Sequence, residues 1–377
     1  MKSKLCFKLD IEFPLIAFSH CRDVVVEVSK AGGLGVLGAA GFSPEQLEIE
    51  LSWIDQNIDG APYGVDLIVP NTMANQDESK TGYELQAMVP HSHRLFVEET
   101  LAKHGIDSSN LYSGSDAGNR GFLGEKSSDN ILDIAFSHPI KIIVNALGVP
   151  PFRMLELAKA NNVACGALVG NRQQAIKQVE SGVDIIISSG TEAGGHCGEI
   201  STMVLVPEVV QALQGFEDVS ILAAGGIVTG RQMAAAMAMG ADGVWTGSVW
   251  LTTEEADTSP SIKNKLLTTG SNQTVRTRSR TGKFSRQIKS PWTEAWEQEG
   301  APEPLQMPLQ SLVSEPALGK ISKLAESGDS KAQSLNTYWV GQGVGLMSQS
   351  SSAKQVVYDF MSDFLDASDR LSELLKD

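Results

Sequence analysis

Apolar residues along this chain come in short continuous runs, each cut off by glycine or a polar group. Eight such runs lie in the first two thirds: Phe13–Phe18, Leu34–Gly38, Gly64–Val69, Ile140–Asn145, Val163–Leu168, Val183–Ile187, Ser220–Gly226 and Gly243–Gly247. Runs of this length, apolar on both faces, read as buried parallel strands. Between most of them the apolar spacing changes to that of a helix. Asp23–Lys30, Pro151–Ala160, Arg172–Ser181, Val206–Leu213 and Gly230–Met239 show this pattern. Another helix opens at Ser43, a natural N-cap, with Pro44 at N1 and Gln46 completing a capping box; it carries Leu47, Leu51 and Ile54 inward. Repeated strand-then-helix units imply a parallel sheet with right-handed crossovers. Eight units over about 250 residues fit a (β/α)8 barrel better than an open doubly wound sheet, which usually has fewer units.

Two segments break the rhythm. Residues 73–135 are polar, with helical patches at Glu84–Val89 and Arg94–His104 and a loop at Ser113–Asn119. They read as an insertion after strand three and a candidate lid. The barrel is then assigned to 1–72 and 136–255. Residues 256–377 form a C-terminal extension, partly helical and packed on the barrel. It includes a helix near Ile321, a glycine-rich stretch at Tyr338–Met347 and a helical stripe of Val356, Val357, Phe360, Phe364 and Leu371.

Composition narrows the function classes. The chain has 377 residues, 42% hydrophobic and 20% charged, an ordinary globular balance. Its net charge of −15 argues against nucleic acid or an anionic membrane as partner. No apolar stretch reaches the length of about 18 needed to span a bilayer. Cys6, Cys21, Cys165 and Cys197 show no metal or disulfide spacing. Met1–Leu5 lacks the apolar core of a signal peptide, so the expected compartment is cytoplasmic. A homodimer is a candidate assembly.

The chemistry concentrates after strand six, in Ser188-Ser189-Gly190-Thr191-Glu192-Ala193-Gly194-Gly195-His196-Cys197-Gly198. An imidazole titrates near neutrality and can move a proton. A lone histidine more often caps a turn. Here His196 stands at the C-terminal end of a barrel strand, where catalytic groups collect. Glu192 either orients it or anchors the turn by accepting N–H groups. Ala224-Gly225-Gly226 and Thr246-Gly247-Ser248 end strands seven and eight, where barrels commonly bind phosphate through free N–H groups. Thr229 and Gln232 make a second capping box.

Other motifs carry less. Gly33–Gly38 matches G-x-G-x-x-G, but its glycines follow a helix and lead into a strand, the reverse of a dinucleotide fingerprint. His91 and His93 lack further ligands and read as a solvated loop rather than a metal site. Cys197 points away from His196 on extended backbone. The basic cluster of Arg276, Arg278, Arg280, Lys283, Arg286 and Lys289 reads as a salt-bridged surface.

Gly190–His196 with Gly198, then Ala224–Ile227 and Gly240–Gly247, resemble the nitronate monooxygenase family, formerly called 2-nitropropane dioxygenases. Ala31–Gly35, Gly341–Leu346 and, weakly, Thr281–Arg286 are similar to family segments too. The resemblance covers most of the chain outside 73–135. It implies an FMN-dependent (β/α)8 barrel that oxidises alkyl nitronates with O2 to a carbonyl compound and nitrite, without metal. His196 would be the catalytic group over the flavin. Gly225, Gly226, Gly247 and Ser248 would hold the FMN phosphate. Asn71, Ser188 and backbone near Ala17 would line the isoalloxazine, with Gly194, Gly195, Ala224 and Thr246 completing the cofactor site. Where family members have a Gln-Ala/Gly-Pro-Met-like segment, this chain has Ala17-Phe18-Ser19-His20-Cys21-Arg22, so the pocket floor differs. Ser188–Thr191 and the insertion depart as well. Barrel relatives include FMN-dependent NAD(P)H:quinone and enoyl reductases, the alternative reading. A phosphate-binding barrel without flavin is the third.

Overall fold

The fold is described by a computed structural model covering residues 1, 3–69, 82–112 and 125–376, with side chains from 84 and 130 onward in the later segments. The branched aliphatic runs are strands as expected. They are β1 (Leu15–Ser19), β2 (Leu34–Gly38), β3 (Tyr63–Leu67), β4 (Ile142–Asn145), β5 (Ala164–Val169) and β6 (Ile185–Ser189). A two-residue strand, β7 (Gly195–His196), precedes β8 (Ser220–Ala224) and β9 (Gly243–Thr246), and β10 (Thr274–Thr277) and β11 (Ser285–Ile288) follow. All except β7, β10 and β11 close a parallel barrel in chain order, with β9 returning to β1 through the pair Ala17–Thr246. Strands seven and eight of the barrel are therefore β8 and β9.

Strand alternation divides the core in two. Ile16, Val36, Ile142, Val144, Ile185, Ile187, Leu222 and Trp245 fill the lumen. Leu15, Ala17, Ala223 and Val244 face the opposite way, against the surrounding helices. A side chain on Gly35 would lie 2.3 Å from the Val25 carbonyl. That glycine lets the Arg22–Lys30 helix lie on β2. Ser43 caps the Pro44–Asn57 helix through the Gln46 N–H, and Leu47, Leu51 and Ile54 are fully buried. Gln46 does not return the bond; its amide donates to Glu50 instead, 2.6 Å away. The Thr229–Gln232 box is complete.

The barrel helix after β3 is Glu125–Ser137, whose Ile131, Leu132 and Ala135 share one cluster with Leu51 and Ile54. It falls inside the span 73–135 read as insertion. The reason is that its apolar residues sit only in its second half, behind a polar Lys126–Asn130 sequence. The Gly82–Met88 and His91–Lys103 helices meet the extension. Val89, Val97 and Leu101 pack with Trp292, Trp296, Leu318 and Ile321 in a second core. His91 and His93 open a helix, not a loop, and His93 is buried with Nε2 2.9 Å from the Glu303 carbonyl oxygen. The Ser113–Asn119 loop lies outside the described residues. No described helix is long and apolar enough to cross a membrane.

The terminal Ala353–Glu373 helix crosses the Gly230–Ala238 helix, burying Val357 and Phe360, while Leu371 at its far end is exposed. The crossing depends on Gly230. A Cβ there would lie 1.8 Å from the Phe360 carbonyl and 2.4 Å from the Phe364 nitrogen. Both are backbone atoms that cannot swing away. Intrinsic propensity would favour alanine in a helix by about 1 kcal/mol, but forced overpacking costs about 1–3 kcal/mol. Gly230→Ala should therefore lower the denaturant midpoint; an unchanged or raised midpoint would show that the helix crossing is loose.

Candidate active site

The turn after β6 is fastened from two sides. The Gly190 N–H donates to the Ala224 carbonyl at 3.0 Å. Glu192 accepts from both the N–H (2.9 Å) and the hydroxyl (2.8 Å) of Thr202 through Oε2. This settles the role of Glu192: it anchors the turn to the first residue of the Thr202–Ala212 helix. A carboxylate at a helix N-terminus is also favoured by the helix dipole. From the other side β7 pairs with β11, His196 opposite Ser285 and Gly195 opposite Arg286.

The C-terminal extension thus supplies the surroundings of His196. The imidazole Nε2 lies 2.8 Å from the Thr281 hydroxyl oxygen. Its ring sits 5.9 Å from that of Trp339, and the Arg280 guanidinium covers Trp339 at 4.2 Å while pairing with Glu315. His196 keeps an exposed edge, yet the neighbours strip much of its water. That desolvation, with the positive charges of Lys283 and Arg280, pulls its pKa below 6.5. The ring is neutral at pH 7 and holds a lone pair.

The basic cluster divides. Arg278 and Lys289 pair with Glu303 and Glu294 on the surface, and Arg276 lies on Phe284 and meets Glu199. Arg286 does not fit the reading of a salt-bridged surface. It is 7% exposed and donates to the Thr191 carbonyl, so it fastens the turn itself. Burial raises the Cys197 pKa in spite of Arg286 and Arg276, which leaves a protonated thiol and no nucleophile. Thr281 and Trp339 escaped the reading of single motifs. Thr281 lay in a segment with only a weak family likeness, and Trp339 in the glycine-rich Tyr338–Met347 stretch.

The second half of the site is backbone. Ala224 and Trp245 are paired, so the turns after β8 and β9 stand side by side. Gly225 (φ +111) and Gly226 (φ +69) adopt conformations that side chains resist. No described residue accepts from the N–H groups of Gly225, Gly226, Gly247 or Ser248. Among the described residues, a Cβ on Gly247 would meet only Phe18, at 3.9 Å. Four donors with no acceptor among the described residues, with room beside Gly247, fit an oxyanion such as a phosphate. Ser248 accepts from the Gly341 N–H at 2.8 Å and retains its own hydroxyl hydrogen.

The remaining expected contacts are distributed differently. Ala17 buries its methyl among helix-facing residues such as Val24 and Val28, so only its backbone is available. Ser188 lies on the helix-facing side of β6, opposite in parity to Ile187, and its hydroxyl has no partner among the described residues. Thr246 spends its hydroxyl on the Ile16 carbonyl and on accepting from Trp250 Nε1. Gly194 makes room for the extension: a Cβ would lie 2.8 Å from Gly341 N. Gly195 (φ +73) faces open space, and the Ala224 carbonyl accepts from Gly190 and Thr202. Asn71 lies outside the described residues.

Comparison with known proteins gives the family and the fold. The profile of the nitronate monooxygenase family matches residues 4–363. A Mycobacterium tuberculosis protein provisionally named monooxygenase Rv1533 is 45% identical over 378 residues, covering 100% of both chains. A Staphylococcus aureus protein provisionally named nitronate monooxygenase is 28% identical, covering 90% of this chain and 91% of that one. The nitroalkane oxidase of Streptomyces ansochromogenes superposes with a TM-score of 0.76 at 21% identity, over 96% of this chain and 98% of that one; this likeness concerns the fold.

The electrostatics of the turn can be measured directly. An NMR titration of the His196 imidazole should give a midpoint below 6.5. Lys283→Ala should move it upward, since removing a nearby positive charge makes protonation easier. A midpoint above 6.5, or a downward move, would contradict the assigned causes.

Proposed function

The chain belongs to the nitronate monooxygenase family, and from that premise we propose that it is an FMN-dependent enzyme oxidising alkyl nitronates with O2 to a carbonyl compound and nitrite. The observation that carries this reading is that one end of the barrel holds both His196, whose pKa lies below 6.5, and strand-end N–H groups with no acceptor among the described residues. Bound FMN would supply the redox chemistry between substrate and O2. The N–H groups of Gly225, Gly226, Gly247 and Ser248 would hold its phosphate. They form a fixed array that needs no reorganisation on binding.

His196 is placed to take or hold a proton. In the tautomer that donates from Nε2 to Thr281, Nδ1 is the free base. Thr281 fixes the ring, as a base is usually fixed by a second hydrogen-bonding group. Desolvation, with the charges of Lys283 and Arg280, keeps the imidazole unprotonated, and the two charges would favour an anionic substrate beside it. Trp339 and the β7–β11 pairing cover one side and limit water. Aromatic rings line the mouth of the lumen. There Phe18 lies edge-on to His20 at 5.1 Å and 6.0 Å from Trp245, an aromatic surface that selects against bulky polar groups.

Protein loaded with FMN should consume O2 and release nitrite when given an alkyl nitronate. His196→Ala should keep the flavin and lose about 10²- to 10⁴-fold in kcat/KM, the usual contribution of a general acid or base. Its removal should also abolish an acidic limb in the pH profile lying below 6.5, because activity rises as the imidazole loses its proton. Gly226→Asp should lose FMN, since a carboxylate would sit against the phosphate. Rapid anaerobic reduction by NADH or NADPH would overturn the oxidase reading in favour of a reductase. Failure to take up FMN would overturn the flavin reading itself.

A further inference from the structure

The small sheet that carries the catalytic turn has two faces. In it β11 lies between β10 and β7, and side chains alternate across it. His196, Ser285 and Gln287 share one face, the one on which His196 meets Thr281. The other face carries Cys197, Phe284 and Arg286, and Arg276 of β10 stands directly opposite Arg286. Arg276 lies over the Phe284 ring at 4.0 Å, which confirms that they share this face.

Like charges directly opposite in an antiparallel pair repel and destabilise it. Little within the chain offsets that repulsion. Glu199 Oε1 lies 3.6 Å from Arg276 Nη2, too far for a hydrogen bond, and its side chain is 79% exposed. Glu192 attracts Arg286, but its Oε2 already accepts twice from Thr202. The donors are underused as well. A guanidinium carries five N–H groups. Arg286, 7% exposed, spends Nε on the Thr191 carbonyl at 2.8 Å and Nη1 on the Thr274 hydroxyl at 3.1 Å. Its Nη2 has no acceptor among the described residues. Arg276 faces the Cys197 sulfur, and its buried Nε has no partner among the described residues. Buried donors are normally satisfied. There is room beside these: Gly195 is paired in register with Arg286, and a Cβ there would meet no described atom within 4 Å.

We propose that Arg276 and Arg286 form a binding site for a phosphate-type oxyanion, on the face of this sheet turned away from His196. Two guanidinium groups present forked N–H donors that match a phosphate, and charge-assisted bonds of this kind are the strong ones. The bound anion would cancel the repulsion across β10 and β11. Through Arg286 and the Thr191 carbonyl it would also brace the catalytic turn. The site is distinct from the strand-end cradle, which is made of backbone N–H groups, and it stands whether or not that cradle holds FMN.

NMR of the arginine Nε–H resonances in the full-length protein reads the site directly, because an anion in the backbone cradle does not touch these side chains. Inorganic phosphate is titrated in one arm and AMP in another, each at constant ionic strength. The Arg276 resonance, identified by its loss in Arg276→Gln, and that of Arg286 should shift together along one saturable curve in the millimolar range or below. Tighter binding of AMP would assign the site to a phosphate ester, and tighter binding of phosphate to the free anion. In Arg276→Gln the Arg286 shift should need about tenfold more anion, the loss expected for one charge-assisted hydrogen bond. Arg276→Lys, which keeps the charge without the fork, should fall between the two. The absence of a saturable shift with either anion would overturn the site. So would the same shift with sodium chloride, or an unchanged Arg286 curve in Arg276→Gln.

Discussion

Everything at the barrel mouth depends on how closely three pieces of backbone approach one another. Gly341 sits where a Cβ would be 2.6 Å from the Glu192 carbonyl, Gly343 where it would be 2.5 Å from the Gly226 carbonyl, and Gly194 where it would touch Val340 and Gly341. No other residue fits at these spacings, which explains glycines spread over 150 residues by one steric fact. The contact also carries hydrogen bonds: Gly341 N–H to Ser248 and Gln342 N–H to the Glu192 carbonyl. The extension is therefore part of the site, not a tail laid over a finished barrel. It fixes the β6 turn, reaches the cradle and brings Thr281, Lys283 and Trp339 to His196.

The division of labour follows from the properties of each element. Barrel strands hold their ends in fixed register, so the unpaired N–H groups of neighbouring turns converge without any side chain to position them. The lumen is apolar and close-packed, whereas the β10–β11 pairing sets two guanidinium groups side by side at a cost in stability. A conflict of that kind between a local choice and the fold is where function is expected to reside. The second core, formed where the inserted helices meet the extension, lets both be long without leaving apolar faces in water.

The barrel was legible because each strand is buried on both faces, so its run is continuous and its end is marked by glycine. Helix starts were legible for a similar reason, since Ser43 and Thr229 use local chemistry. Glu125–Ser137 was not, because half of that helix gives no apolar period. The cradle glycines could be read from their place after strands seven and eight. The partners of His196 could not, because Thr281 and Trp339 lie 85 and 143 residues further along the chain (281 − 196 and 339 − 196), brought to it by the pairing of β7 with β11 and by the contacts of Gly341 and Gln342. Sequence spacing carries no information about such a contact.

The charge of the chain and the charge of its site point in opposite directions, and distance decides between them. A net charge of −15 would by itself make protonation of an imidazole easier. Screening limits that influence to about 8–10 Å at ordinary salt, whereas Lys283 and Arg280 stand close enough to His196 to lower its pKa, adding to desolvation. The same segment contributes Arg286, buried against the Thr191 carbonyl. Thus the basic residues gathered at 276–289 do two jobs at once. Arg286 holds the turn in place by a hydrogen bond, and Lys283 and Arg280 add to desolvation in keeping the imidazole neutral. Because both effects come from one antiparallel pairing, the protonation state of His196 is coupled to the docking of the extension, and a change that frees β11 would alter the chemistry of the ring as well as its position.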